Sequence, residues 1–396
     1  MTDVEASAGS ANVDFRLTDP AVAKEPGSYF DELRSKCPVA HTERFDGFWM
    51  LSRYQDVYEA ALKPEVYSSS AGICIPVIPQ PPVICLEQDD PEHRKYRKPM
   101  QGWFSVRRMA ELEDKVREIV TRRIDAVVDK GHGDLAEVLA SPVPPMVIAL
   151  ILGLPEQDWD WFRERESTLL SHAQSGNSEA AGPVFQDIAN CLGDNLAQRR
   201  ETPRDDMLSD IASLEIDGQP VSDEDAGSLA FLILGAGHET TVGGIGGLLY
   251  QVAKDADLRD RLIADPSLIE RAVEESLRLE TPLLGLARIL KDDAVVDGVT
   301  VSAGERVMLL WGAANRDPLV FESPEEFRVD RDNAHKHISF GAGVHRCVGA
   351  PLARLEMRVV LEEVLRRMPN VHLTDPEAVR VAWTVGREFS ELHATW

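Results

Sequence analysis

At 396 residues the chain can form one large domain or two to three of ordinary size, and it can bury a substantial core around an internal cavity. Its formal charge of −25 argues against a nucleic-acid partner or an anionic membrane surface, and no stretch approaches the ~20 apolar residues that cross a bilayer. The cysteines Cys37, Cys74, Cys85, Cys191 and Cys347 are odd in number, widely spaced and free of a CxxC pair, which favours a reducing, cytoplasmic setting over a disulfide framework.

Residues 1–14, rich in Ala, Ser, Gly, Asp and Glu, read as a disordered lead, without the basic and apolar pattern of a targeting segment. Residues 15–396 read as a single domain, because no repeat or low-complexity linker divides them, and the protein is expected to be a monomer. Phe48-Trp49-Met50-Leu51 predicts a short strand. Ser68 to Gln88 is too Pro-interrupted for a helix and too apolar for a solvated loop, so it is expected to cover either a ligand or the protein's own core.

Asp90-Pro91 opens a helix on which His93 and Arg97, at i,i+4, can meet one carboxylate together. From there to Lys254 the chain reads mostly as helix, as in Val106 to Lys130, with Leu112, Val116, Ile119, Val120, Ile124 and Val127 on one face. Ser222-Asp223-Glu224-Asp225 starts like a capping box, and the helix it opens runs to about Lys254, roughly 45 Å at 1.5 Å per residue. Within it lies Ala236-Gly237-His238-Glu239-Thr240-Thr241. An interior Gly costs a helix about 1 kcal/mol relative to Ala, and the acid and hydroxyl residues beside it add no obvious stability. Function is the expected compensation: Glu239 and Thr240 can relay a proton, although a helical Thr also bonds readily to the carbonyl one turn earlier.

A helix from about Ser267 to Leu279 carries the i,i+3 pair Glu275 and Arg278, worth only a few tenths of a kcal/mol in isolation. Ala294 to Val301 contains an Asp297-Gly298 hairpin turn, and Val307 to Leu310 predicts the next strand. Helices dominate and small sheets lie at the periphery, so the fold class is mainly α.

The run from His335 to Cys347 admits two readings on spacing alone. Either His335, His337, His345 and Cys347 bind zinc, or Cys347 alone is a ligand in a glycine-shaped loop whose N–H groups approach its thiolate. The following segment favours the second. Ala350-Pro351 opens an amphipathic helix striped by Leu352, Leu355, Val359 and Val364, so Cys347 sits just before a helix N-terminus, where dipole and free N–H groups favour a thiolate.

The sequence FGAGVHRCVGAPLARLE resembles the haem-ligand loop of the cytochrome P-450 family, with Phe340 seven residues before Cys347 and Gly341, Gly343 and Gly349 in place. The resemblance spans about Asp19 to Trp396 and implies the triangular fold of soluble bacterial class I haem-thiolate monooxygenases, with b-type haem and Cys347 as its axial ligand. It also implies haem-propionate contacts for His93, Arg97, Arg288 and His345, packing of Phe340 beside the ligand loop, oxygen activation at Glu239 and Thr240, and a structural trio of Glu275, Arg278 and Arg331. Glu239 stands where the family more commonly has Asp, and Arg328 where Asp is usual.

The pocket is expected to be lined by the Ile73 to Ile84 loop, Leu232, Gly235, Ala236, Leu283, Leu284, Leu286, Thr384 and Val385. These are almost wholly apolar, so the substrate is expected to be a small to medium apolar molecule of the terpenoid or alkyl-aromatic kind. One oxygen atom of O2 would enter it and the other leave as water, with two electrons from NAD(P)H. The sequence carries no GxGxxG fingerprint and no reductase domain, which implies a separate ferredoxin and ferredoxin reductase. Arg94, Lys98 and Arg346, with Lys95, Arg107 and Arg108 near them, are expected to form a basic docking patch on an acidic protein. A peroxide-using haem-thiolate enzyme, which would not need Glu239 and Thr240, is the alternative, followed by a non-catalytic haem sensor.

Overall fold

The computed structural model describes residues 12–77, 82–174, 178–383 and 386–396. The structure is 56% helical with small sheets, the mainly α class expected. Residues 1–11 of the expected lead lie outside the described residues, but residues 12–14 do not behave as one. Asn12 bridges His41, and Val13 N–H donates to His41 O at 2.8 Å. That pairing leads Phe15 and Leu17 into the core.

The long helix spans Asp223–Lys254 without a break and runs through the largest apolar cluster. Ser222 caps it, its hydroxyl accepting Asp225 N–H at 3.0 Å, so an orphan first-turn donor is satisfied by the residue the sequence marks for that purpose. Its glycines let other elements approach. A Cβ on Gly243 would lie 2.4 Å from Arg387 O, so only Gly admits the Arg387–Glu391 strand at that distance.

The main sheet has five strands, in the order Val39–Thr42, Phe48–Leu51, Arg306–Leu309, Leu286–Leu290 and Tyr67–Ser68. Phe48–Leu51 falls where the apolar run predicts it, and Arg306–Leu309 lies one residue earlier than expected. Leu286–Leu290 pairs antiparallel with Arg306–Leu309, setting Arg288 opposite Val307. Ala287 N–H in turn donates to Ile73 O at 2.8 Å, which pins the Pro-rich segment to the sheet. The Asp297-Gly298 turn closes its hairpin with both residues at positive φ, 48° and 78°, as a two-residue turn of this composition requires.

One helix is shorter than its periodicity suggests. Val106–Asp125 stops five residues before Lys130, where the chain tightens through Val128–Lys130 and turns at Gly131, φ 71°. The turn frees His132–Asp134 to pair with His393–Thr395. No helix among the described residues is long and apolar enough to cross a membrane.

Candidate active site

Cys347 ends a tight loop and opens into a large internal cavity. Its N–H donates to Phe340 O at 2.8 Å, closing the loop. Gly343 takes φ 69° where a Cβ would meet Ala61 O at 2.4 Å, so the turn requires glycine on both counts. The helix Ala350–Arg367 begins three residues after the cysteine. Burial pushes the Cys347 thiol up, while the N–H groups of Gly349 and Ala350 and the charges of Arg97 and Arg346 pull it down. A thiolate is therefore costly here until something positive binds it from the cavity side.

Four nitrogen-bearing side chains gather at the cavity. Arg97, Arg288 and His345 line it, and His93 packs behind His345 with ring centroids 4.3 Å apart. His93 Nε2, His345 Nε2 and Arg97 Nε are buried without hydrogen-bond partners among the described residues. His93 Nδ1 lies 3.5 Å from Asp90 Oδ1. Arg288 is buried and donates to its neighbour's carbonyl, Ala287 O, at 2.7 Å; burial pushes it down to about 10. His345 is pushed down to about 3, first by burial and then by the nearby His93 and Arg288. Buried unsatisfied donors cost roughly 1–3 kcal/mol each, so this set fits a group that brings carboxylates to it.

The long helix supplies Ala236, Gly237, Thr240 and Thr241 to the cavity wall. Thr240 Oγ1 donates to Ala236 O at 3.1 Å, the carbonyl one turn earlier. Glu239 is half-buried and does not line the cavity. The helix Asp223–Lys254 continues through this point without a break. Gly237 has a packing reason for its presence: a Cβ there would lie 2.3 Å from Ile148 Cδ1.

The cytochrome P-450 family model matches residues 170–378, and a steroid C26-monooxygenase of Mycolicibacterium smegmatis is 35% identical over 351 residues, 88% of this chain and 86% of the relative. The chain belongs to the cytochrome P-450 family. The structure is similar to that of the cytochrome P-450 of the Bacillus subtilis 168 bacillaene polyketide synthase, with TM-score 0.90 and 27% identity over 96% of this chain and 99% of that one. It is also similar to a Bacillus megaterium P-450 solved with testosterone, with TM-score 0.84 and 28% identity over 93% and 99%. The protein is thus a cytochrome P-450 monooxygenase, and the family brings haem, O2 and an electron donor. The cavity's donor set fits the two carboxylates of a haem, and Cys347 fits its iron.

In this P-450 the expected pocket residues divide. Leu232, Ala236, Leu283 and Leu286 line the cavity; Leu284 and Gly235 do not. The chain bends at Pro282-Leu283, and Leu284 is buried instead in the core cluster that holds Phe15 and Phe30. Gly235 offers no side chain, and the position of its absent Cβ is 4.0 Å from Glu166 Oε1. Thr384 and Val385 lie outside the described residues. From the Pro-rich segment Ile73 lines the wall, joined by Cys85 and Leu86, while Ile84 packs into the core. Sequence reading missed Met100 and Phe104, although they follow Arg97 at i+3 and i+7 on one helix face.

Glu275, Arg278 and Arg331 meet as a buried network. Arg278 Nε and Nη2 each donate to the Glu275 carboxylate at 2.8 Å, and Arg331 Nε donates at 2.9 Å. Arg328 contributes its backbone N–H to Glu275 Oε1 at 2.9 Å, while its side chain reaches out to Glu322 and Asp330 at 3.8 and 4.0 Å. The unusual side chain at this position therefore leaves the network intact. The histidines of the zinc alternative are not brought together: His335 is exposed, His337 pairs with Glu274, and no metal-binding cluster of three or more His, Cys, Asp or Glu occurs among the described residues.

The basic residues expected near the cysteine side are mostly paired. Lys95 meets Glu92 and Asp217, Arg107 meets Glu111, Arg108 approaches Asp205 and Asp210, and Arg94 meets Asp90 at 2.7 Å. Lys98 and Arg346 are exposed and have no ion pair among the described residues.

Proposed function

We propose that Cys347 is the axial thiolate of this monooxygenase and that one oxygen atom of O2 enters an apolar substrate held in the same cavity. The carrying observation is that Cys347, Arg97, Arg288, His345 and Thr240 all border one cavity whose remaining wall, Thr241 and Ser339 apart, is apolar. Bound there, the haem supplies O2 activation, which thiolate ligation favours by donating electron density. His93, Arg97, Arg288 and His345 hold its carboxylates, and Phe340 packs beside the ligand loop. Because Thr240 Oγ1 gives its own proton to Ala236, it offers lone pairs to the cavity and can hold a proton donor such as water in place. Glu239 is the neighbouring acid that resupplies that proton.

The substrate is of the terpenoid or alkyl-aromatic kind. Ile73, Leu86, Phe104, Leu232, Leu283 and Leu286 give it no charged partner, so burial of apolar area drives binding. A steroid is the second reading, favoured by the relative named as a steroid C26-monooxygenase and by the structural neighbour solved with testosterone. A panel of monoterpenoids, alkyl-aromatics and steroids, scored by the low-to-high spin shift of the haem protein, separates them. Tight binding by charged polar compounds alone would contradict both.

Electrons come from NAD(P)H through a separate ferredoxin reductase and ferredoxin, in a cytoplasmic setting. Lys98 and Arg346, with Arg94 beside them, form the docking patch for an acidic donor. The Arg346 carbonyl also accepts from Arg97 Nη2, which connects that patch to the cavity. Exposed attractions are screened within about 8–10 Å at physiological salt, so the first-electron rate should fall as ionic strength rises. A salt-independent rate that is unchanged in Arg346→Glu would place docking elsewhere.

A further inference from the structure

Beside the ligand loop lies an ion-pair cluster to which none of the roles above is assigned. Arg354 Nε and Nη2 donate to the two oxygens of Glu274 at 2.5 and 3.0 Å, a fork-to-fork pair. His337 Nε2 lies 3.3 Å from the same carboxylate. His337 Nδ1 accepts Ser339 N–H at 3.2 Å, so the single ring proton sits on Nε2 and points at Glu274. Burial pushes Glu274 up, but the hydrogen bonds from His337 and Arg354 outweigh it and hold the carboxyl at about 2. Burial keeps His337 below its ordinary range, hence neutral.

The cluster is stacked on the loop itself. The Arg354 guanidinium lies 4.6 Å from the centre of the Phe340 ring, and the His337 ring packs on the same phenyl at 5.7 Å. Phe340 is the residue whose carbonyl accepts the Cys347 N–H. A cation, an aromatic ring and the cysteine loop thus form one column, with Glu274 as the counter-charge. The Arg354 and Glu274 side chains are only 31% and 21% exposed, so their charges act through a medium less screening than water.

We infer that Glu274 and Arg354 are positioning residues that set the redox potential of the group held by Cys347. Arg354 acts on the thiolate across the Phe340 ring, and Glu274 offsets its charge. The inference rests on Cys347 being the thiolate ligand. A net positive charge near the site favours the reduced state and a net negative one the oxidised state, so losing either partner moves the potential in a direction set by the charge that remains.

Redox titration of the holoprotein tests this, with the carbon monoxide spectrum of the reduced protein recorded in parallel. Glu274→Gln should raise the midpoint potential by the equivalent of a roughly tenfold shift in the one-electron equilibrium, about 59 mV. Arg354→Gln should lower it, and the double variant should return close to wild type. Should Glu274→Gln fail to fold, Arg354→Lys still discriminates: it keeps the charge and should stay at the wild-type potential, while Arg354→Gln falls. Shifts of the same sign, unmoved potentials, or loss of the thiolate band in both variants would overturn the inference and leave the pair merely structural. A wild-type protein lacking the thiolate band would instead refute the reading of Cys347.

Discussion

His93 and His345 stack with their ring centroids 4.3 Å apart, and neither Nε2 has a hydrogen-bond partner among the described residues. Two buried donors set side by side in this way fit a carboxylate of the haem. On the proposed reading each donates to it, so replacing either by Ala removes a hydrogen bond to a charged group, worth about 1.5–3 kcal/mol. Haem loss, followed by transfer to an excess of a scavenging globin, should therefore speed up roughly ten- to a hundredfold. Because the rings touch, the double variant should lose less than the sum. Unchanged loss rates would remove both residues from haem binding.

Glu275 is fully buried and serves Arg278, Arg331 and the Arg328 N–H at once. Glu275→Gln strands two buried guanidiniums and should cost about 3–5 kcal/mol, measured by denaturant unfolding. Arg328→Ala should cost less than about 1 kcal/mol, because its part is played by the backbone and its side-chain pairs are long and partly exposed. Equal losses in the two variants would contradict the division of roles.

Much of this was legible in the chain. Ser222 and the acids after it announce the long helix, and the Cys347 loop with its trailing amphipathic helix is a continuous motif. Leu284 was misplaced because apolar identity does not say which residues around the bend at Pro282-Leu283 meet the ligand and which the core. Gly237 was read as a functional cost, yet Ile148, which explains it, approaches from 89 positions away. The partners of Lys95, Arg107 and Arg108 were partly readable at i−3 and i+4, but Asp205, Asp210 and Asp217 come from other segments. Tertiary neighbours of that kind leave no local pattern.

Thr240→Ala keeps the cavity wall and deletes the hydroxyl bonded to Ala236. Substrate binding by spin shift should be unchanged, while product formed per NAD(P)H consumed falls; general acid–base assistance of this kind is worth roughly a hundredfold or more. Thr240→Ser, which restores a hydroxyl, should recover most of the coupling. An unchanged ratio in Thr240→Ala would take the residue out of the reaction.

Glu356 is fully buried, and neither carboxyl oxygen has a hydrogen-bond partner among the described residues. Burial raises its pKa well above 4.5, because it penalises the charged form. A raised folded pKa means that the stability tied to this proton is complete below 4.5 and is lost as pH climbs through the folded value. Glu356→Gln removes the titration, so its unfolding free energy should decline less than that of the wild type as pH rises above 4.5. Parallel pH profiles for the two proteins would show that the carboxyl is ionised in the fold.

The central claim is that Cys347 supplies a thiolate to the haem iron, and the absorbance of the dithionite-reduced protein under carbon monoxide reads that bond directly. Wild-type protein should show the red-shifted Soret band that thiolate ligation produces, and Cys347→Ser should lose it while retaining His93, Arg97, Arg288 and His345. A wild-type band at the position of histidine-ligated haem, or a red-shifted band that survives in Cys347→Ser, would contradict the account.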